Sequence, residues 1–134
     1  MLRIFSGILL ALAISGCTES PYTKIGNDEL KSLMAQGVPV YDIRRPEEWH
    51  DTGVIEGSQR LTFVGDDGRV LPDFLPRFTA AVSKDAPVIL ICHSGSRSDT
   101  LAKHLADNLG YTRIYNVRDG ITHWTREQNP VTRN

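Results

Sequence analysis

With 134 residues, the chain is long enough for one compact domain and too short for two ordinary ones. Charged residues make up 23% and apolar residues 40%, the balance of a soluble globular protein rather than a disordered one. The formal net charge of −1 leaves no basic excess, which excludes nucleic acid as the main partner.

The first sixteen residues stand apart. Arg3 is their only charged residue, and it precedes an apolar run over 4–14 broken only by Ser6 and Gly7. A helix needs roughly 20 apolar residues to cross a bilayer, so the run is too short to span one. A basic start, a short apolar stretch and small residues at its end (Ser15, Gly16) form the pattern of an export signal. Ile14-Ser15-Gly16-Cys17 resembles the lipobox of bacterial lipoproteins. The resemblance implies a signal peptide over 1–16, cleavage before Cys17, and a membrane anchor through lipid on Cys17. Several acyl chains on one residue give lasting attachment, each buried methylene adding about 0.8 kcal/mol. Thr18, where an aspartate commonly favours retention in the inner membrane, points to the periplasmic side of the outer membrane in a Gram-negative cell. The competing reading is an ordinary secretory signal, or an uncleaved anchor, with Cys17 incidental. A lipidated Cys17 would leave Cys92 as the single free thiol, with no disulfide within the chain.

Residues 17–22 read as a short tether, and 23–134 as the folded domain. Asn27 is placed to cap a helix whose first turn holds Asp28 and Glu29, with Leu30, Leu33 and Met34 at helical spacing and Gly37 as the stop. The β-branched run over 38–43 predicts a buried strand. Pro46 opens a helical turn with Glu47, Glu48 and Trp49 behind it. Residues 53–57 form a turn, 61–64 a short strand, and Gly65-Asp66-Asp67-Gly68 a loop. A helix is expected over 71–82, shortened or kinked by Pro76. The continuous apolar stretch over 87–91 predicts a strand buried on both faces. A strong amphipathic helix then begins near Arg97 or Ser98, carrying Leu101, Leu105 and Leu109 on one side until Gly110 stops it. A strand over 113–117 and a short helix over 120–126 with Trp124 complete the chain. Alternating strands and helices give an α/β class, a central parallel sheet of about five strands with helices on both faces.

Ligands of open parallel sheets sit beyond the carboxyl ends of the strands. Cys92 falls there, followed by His93-Ser94-Gly95-Ser96-Arg97 before the helix. Such a loop can turn backbone N–H groups inward, and the helix start adds partial positive charge. Gly95 permits unusual backbone angles, and Arg97 brings a permanent cation. All three features stabilise an anion, which makes Cys92 a nucleophile and the loop a cradle for a persulfide or an incoming oxyanion. Ser94, Ser96 and Ser98 are candidate hydroxyl donors. The bland alternative for Cys92 is a small buried hydrophobe, and for Arg97 a surface salt bridge. A cation at a helix N-terminus is unfavourable unless something negative lies beside it, which favours an anion in the loop.

Residues 92–98 resemble the active-site loop of single-domain rhodaneses, Cys-x-x-Gly-x-Arg followed by Ser or Thr. Asp42-Ile43-Arg44-Arg45-Pro46-Glu47-Glu48-Trp49 is similar to that family's first signature, and Gly120-Ile121-Thr122-His123-Trp124 to its closing one. The resemblance spans about 23–130 and implies a rhodanese-like fold. It also implies sulfurtransferase chemistry through a Cys92 persulfide, with His93, Ser94, Gly95, Ser96, Arg97 and Ser98 holding the substrate. Donors would be small sulfur compounds such as thiosulfate and acceptors a thiol or cyanide, without metal or organic cofactor. Asp42, Arg44 and Glu48 read as an ion-pair arrangement fixing the turn after their strand. Two departures stand out: Gly53-Val54-Ile55-Glu56-Gly57-Ser58 lacks the family's usual histidine, and His93 replaces a frequent arginine, making rim charge depend on pH.

Three other readings compete. A cysteine phosphatase also uses a Cys–loop–Arg cradle, but with five intervening residues where this chain has four. A non-catalytic binding module or a persulfide carrier would keep the same surface. His50, His104 and His123 have no metal-site spacing.

Overall fold

The computed structural model describes residues 21–134; the expected export signal and Cys17 lie outside the described residues. Ten elements alternate strictly: β1 (Thr23–Ile25), α1 (Asn27–Ala35), β2 (Val40–Asp42), α2 (Pro46–Thr52), β3 (Gln59–Arg60), α3 (Phe74–Ala81), β4 (Val88–Ile91), α4 (Ser96–Leu109), β5 (Ile114–Val117) and α5 (Gly120–Arg126). The strands form one parallel sheet in the order β1-β5-β4-β2-β3. The α/β class expected from the sequence is the class observed.

Side-chain alternation along β4 divides the core. Val88 and Leu90 point to one face with Cys92, against Phe74 and Phe78 of α3 and Leu101, Ala102 and Leu105 of α4. Ile89 and Ile91 point to the other, against Leu30 of α1 and Ile121 and Trp124 of α5. All four β4 residues are fully buried, as their unbroken apolar sequence requires.

Several details differ from expectation. Asn27 does not cap α1; Gly26 does, its carbonyl accepting from the Leu30 N–H, while Asn27 is the first helical residue and is buried. The segment read as a tether ends in an anchored residue: Tyr22 packs against the core, its hydroxyl donating to Asp99 at 2.6 Å. β1 follows immediately, a strand the sequence reading did not include. The strand expected over 61–64 is displaced to β3, although the Leu61 and Phe63 amides still bond to the carbonyls of Asp42 and Ile43. α3 is shorter than expected, and Pro76 sits in its first turn, where a missing N–H costs no helical hydrogen bond.

The connection after β2 leaves toward β3, whereas the connection after β4 leaves toward β5. The two loops therefore part above the junction of β2 and β4, opening a crevice at the carboxyl end of the sheet.

Candidate active site

Cys92 is the first residue beyond β4, and its side chain is fully buried. Its Sγ accepts from the Gly95 N–H at 3.2 Å, the Ser98 N–H at 3.4 Å and the Ser98 hydroxyl at 3.3 Å. Two amides and a hydroxyl thus converge on one sulfur atom at the N-terminus of α4, a fourteen-residue helix. That is a set of donors for a sulfur bearing negative charge.

The loop is held in shape from below. Gly95 adopts φ +98°, and a Cβ there would lie 1.9 Å from the Arg118 carbonyl oxygen. Gly120 adopts φ +66°, and a Cβ there would lie 2.3 Å from the His93 carbonyl oxygen. Only glycine permits both close approaches. The first turn of α5 then bonds the loop: Ile121 N–H donates to the Cys92 carbonyl at 2.9 Å and Thr122 N–H to that of His93 at 3.1 Å. On the other side, the buried Asn116 of β5 donates from Nδ2 to the Gly95 carbonyl at 3.3 Å.

Across the crevice stands the segment after β2. Asp42 and Arg44 form a buried pair at 2.9 Å. Arg44 also donates to Thr52 Oγ1 and to the carbonyls of Glu48 and Gly53, while the Trp49 indole donates to Asp42. Every charge in this network is matched, as burial demands. Glu48 accepts from the Arg45 N–H at the start of α2. Its two oxygens also take two hydrogen bonds, both 2.7 Å, from the Arg97 guanidinium. That fork–fork contact holds the Glu48 carboxyl down at about 2.

A family model described as the rhodanese-like domain matches residues 26–127. The chain belongs to the rhodanese-like family. It is 30% identical to the thiosulfate sulfurtransferase GlpE of Tolumonas auensis over 114 residues, which cover 84% of this chain and 96% of that one. The GlpE protein of Pseudomonas fluorescens is 30% identical over 78% of this chain and 86% of its own. Among solved structures, a rhodanese-related protein from Thermoplasma volcanium superposes with a TM-score of 0.66 at 24% identity, covering 84% of this chain and 100% of that chain.

Within this rhodanese loop, the residues named from sequence separate into two groups. Cys92, Gly95 and Ser98 meet at the sulfur. His93, Ser94 and Ser96 are exposed, and their side chains make no hydrogen bond to it. His93 Nε2 lies instead 3.5 Å from the Thr122 hydroxyl. Arg97 departs most from expectation. A negative partner that makes a cation tolerable at this helix start is the Glu48 carboxylate, so the salt bridge weighed above as the bland alternative is present. Glu48 correspondingly leaves the Asp42–Arg44 pair and spans the crevice. Sequence reasoning missed Asn116 altogether. Its signal was a lone amide side chain inside the otherwise apolar strand Ile114–Val117.

Three concavities surround the loop. The first, about 390 Å³, is lined by Arg45, Phe63, Val64, Asp66, Gly68, Arg97 and Thr100, and lies over the crevice. The second borders Lys24, Ser94, Gly95, Ser96, Asp99, Asn116 and Arg118, and the third Ser94, Asp119, Thr122, His123 and Arg126. Cys92 lines none of these three; its side chain lies beneath the loop, fully buried.

Proposed function

We propose that this rhodanese is a sulfurtransferase that carries sulfane sulfur on Cys92, from a donor such as thiosulfate to a thiol or cyanide. The observation that carries the reading is the convergence of the Gly95 and Ser98 amides and the Ser98 hydroxyl on Cys92 Sγ. The names of the GlpE relatives, thiosulfate sulfurtransferases, support it.

The Cys92 thiolate attacks the outer sulfur of thiosulfate, forming a new S–S bond. The bond to the sulfonate sulfur breaks, and its electron pair leaves with sulfite. The transferred sulfur keeps its negative charge, and the loop donors stabilise the persulfide as they stabilised the thiolate. An acceptor thiolate or cyanide then attacks the outer sulfur, and the breaking bond returns its pair to Cys92. No electrons are gained or lost overall, so the reaction needs no redox partner.

Incubation of the domain with thiosulfate, followed by intact-mass measurement, is expected to show a gain of one sulfur atom on Cys92. Cyanide reverses the gain, and Cys92→Ala abolishes it. If no donor loads sulfur, the reading fails in favour of a binding module; Cys92-dependent hydrolysis of an aryl phosphate would instead make it a phosphatase. Full loading without turnover to small acceptors would mark a carrier that hands its sulfur to another protein.

We also propose that the protein is exported and anchored to the cell envelope by lipid on Cys17, facing the periplasm of a Gram-negative cell. The basic start, the short apolar run and the lipobox-like Ile14–Cys17 support this placement. Expressed at full length in such a cell, the protein is expected in the outer-membrane fraction, and Cys17→Ser is expected to abolish processing. Processing and outer-membrane association both unchanged in Cys17→Ser would refute lipid anchoring.

A further inference from the structure

The crevice between β2 and β4 is where the topology places an incoming reactant, and its electrostatics differ from those of an anion trap. Two arginines face it, and both are engaged. Arg97 is held by both oxygens of Glu48. Arg45 lies 2.9 Å from Glu47, 3.7 Å from Glu48 and 3.6 Å from Asp66. Two cations thus meet three carboxylates, and with its carboxyl held at about 2, Glu48 stays ionised throughout the neutral range. The remaining wall includes Phe63 and Val64, and Phe63 belongs to the same apolar cluster as Cys92.

We infer that Glu48 is a specificity-determining residue: by occupying Arg97 it makes the mouth of the site neutral to acidic and selects sulfane donors of low charge, alkyl persulfides, over the thiosulfate dianion. This inference rests on the sulfurtransferase reading above and names its preferred substrate class. Glu48 reaches the reactant only through Arg97, so its role is to set the charge the donor meets. With an alkyl persulfide, the Cys92 thiolate attacks the outer sulfur, the Cys92–sulfur bond forms and the donor S–S bond breaks. The electron pair leaves on the alkyl thiolate, and the outer sulfur carries its own proton or charge across. Atoms and electrons balance without a further reactant.

The test compares kcat/KM for thiosulfate with that for 2-hydroxyethyl persulfide, in the wild type and in Glu48→Gln. The amide keeps a hydrogen-bond acceptor for the Arg45 N–H while removing the charge. The expected result is a rise of roughly tenfold in the thiosulfate-to-persulfide ratio, the size of freeing one cation near a dianion in a partly solvated crevice. Asp66→Asn, at a side chain 91% exposed, is expected to move the ratio the same way by about twofold to threefold. A ratio unmoved by Glu48→Gln, with sulfur still loading on Cys92, overturns the inference alone; it would mean that donors enter past Lys24, Arg118 and Arg126 on the other side of the loop. Absence of loading from every donor overturns the sulfurtransferase reading instead. Should Glu48→Gln fail to fold, the wild type decides through salt. With the mouth neutral to acidic, kcat/KM for thiosulfate stays level or rises with sodium chloride, and a steep fall refutes the inference.

Discussion

Ser98 makes the sharpest case for how one residue serves two purposes at this site. Its amide is fixed by the helix that it helps to start, and its hydroxyl lies 3.3 Å from Cys92 Sγ and 3.2 Å from the Gly95 carbonyl. One hydroxyl carries one proton, so it can donate fully to only one of them. When the sulfur is negative, charge assistance favours the sulfur, a preference of about 1.5–3 kcal/mol for hydrogen bonds to ions. The Gly95 carbonyl does not then go unsatisfied, because the Asp99 N–H and Asn116 Nδ2 also reach it. Ser98→Ala is therefore expected to lower kcat for sulfur transfer about tenfold while changing folding stability by less than about 1 kcal/mol. Steady-state kinetics beside a urea titration would check this. An unfolding midpoint displaced in proportion to the lost activity would show that the hydroxyl holds the loop rather than the charge. Arg44 illustrates the opposite situation. A fully buried guanidinium two residues beyond the strand that pairs with β4 invites a catalytic assignment, yet its donors are spent on Asp42, Thr52 and two carbonyls. It fixes the wall of the crevice.

At the scale of elements, what could be read from the sequence is what local pattern determines. β4, its loop and α4 were legible because an unbroken apolar run, a glycine turn and a leucine spacing each specify their own geometry. α5 was legible too, for Gly120 marks its start and Trp124 the face it buries. β1 and β3 were not. Thr23-Lys24-Ile25 and Gln59-Arg60 are short, mostly exposed edge strands, and only their pairing with β5 and β2 makes them strands. The same distinction explains the site. The donors around Cys92 come from within seven residues of sequence and were anticipated as a cradle. The Glu48–Arg97 contact joins residues 49 positions apart, and nothing in either neighbourhood announces it. The interlock of Gly95 with the Arg118 carbonyl, and of Gly120 with that of His93, is likewise tertiary. It gives a physical reason for the two motifs to occur together: the last helix is the floor on which the loop rests.

For the whole molecule, the ion pair links the two connections that part above the hydrogen-bonded junction of β2 and β4. α2 buries no residue of its own, and α4 belongs to the core. Glu48–Arg97 is a direct side-chain link between them, so its protonation state bears on global stability as well as on the mouth of the site. The sign follows from the direction of the shift. Glu48 titrates at about 2 in the folded chain against an ordinary 4.5, so the folded state binds its proton less readily than the unfolded one. The stabilisation is fully present above about pH 5 and is lost as the pH falls through 4.5 toward 2. Because the pair is partly open to water, screening reduces it to the order of 1 kcal/mol. Urea midpoints measured from pH 7 down to pH 3 are expected to fall more steeply for the wild type than for Glu48→Gln, the two curves converging at the acid end. Parallel curves over that range would mean that the contact contributes nothing to holding the crevice, and that Arg97 is free to turn toward the sulfur.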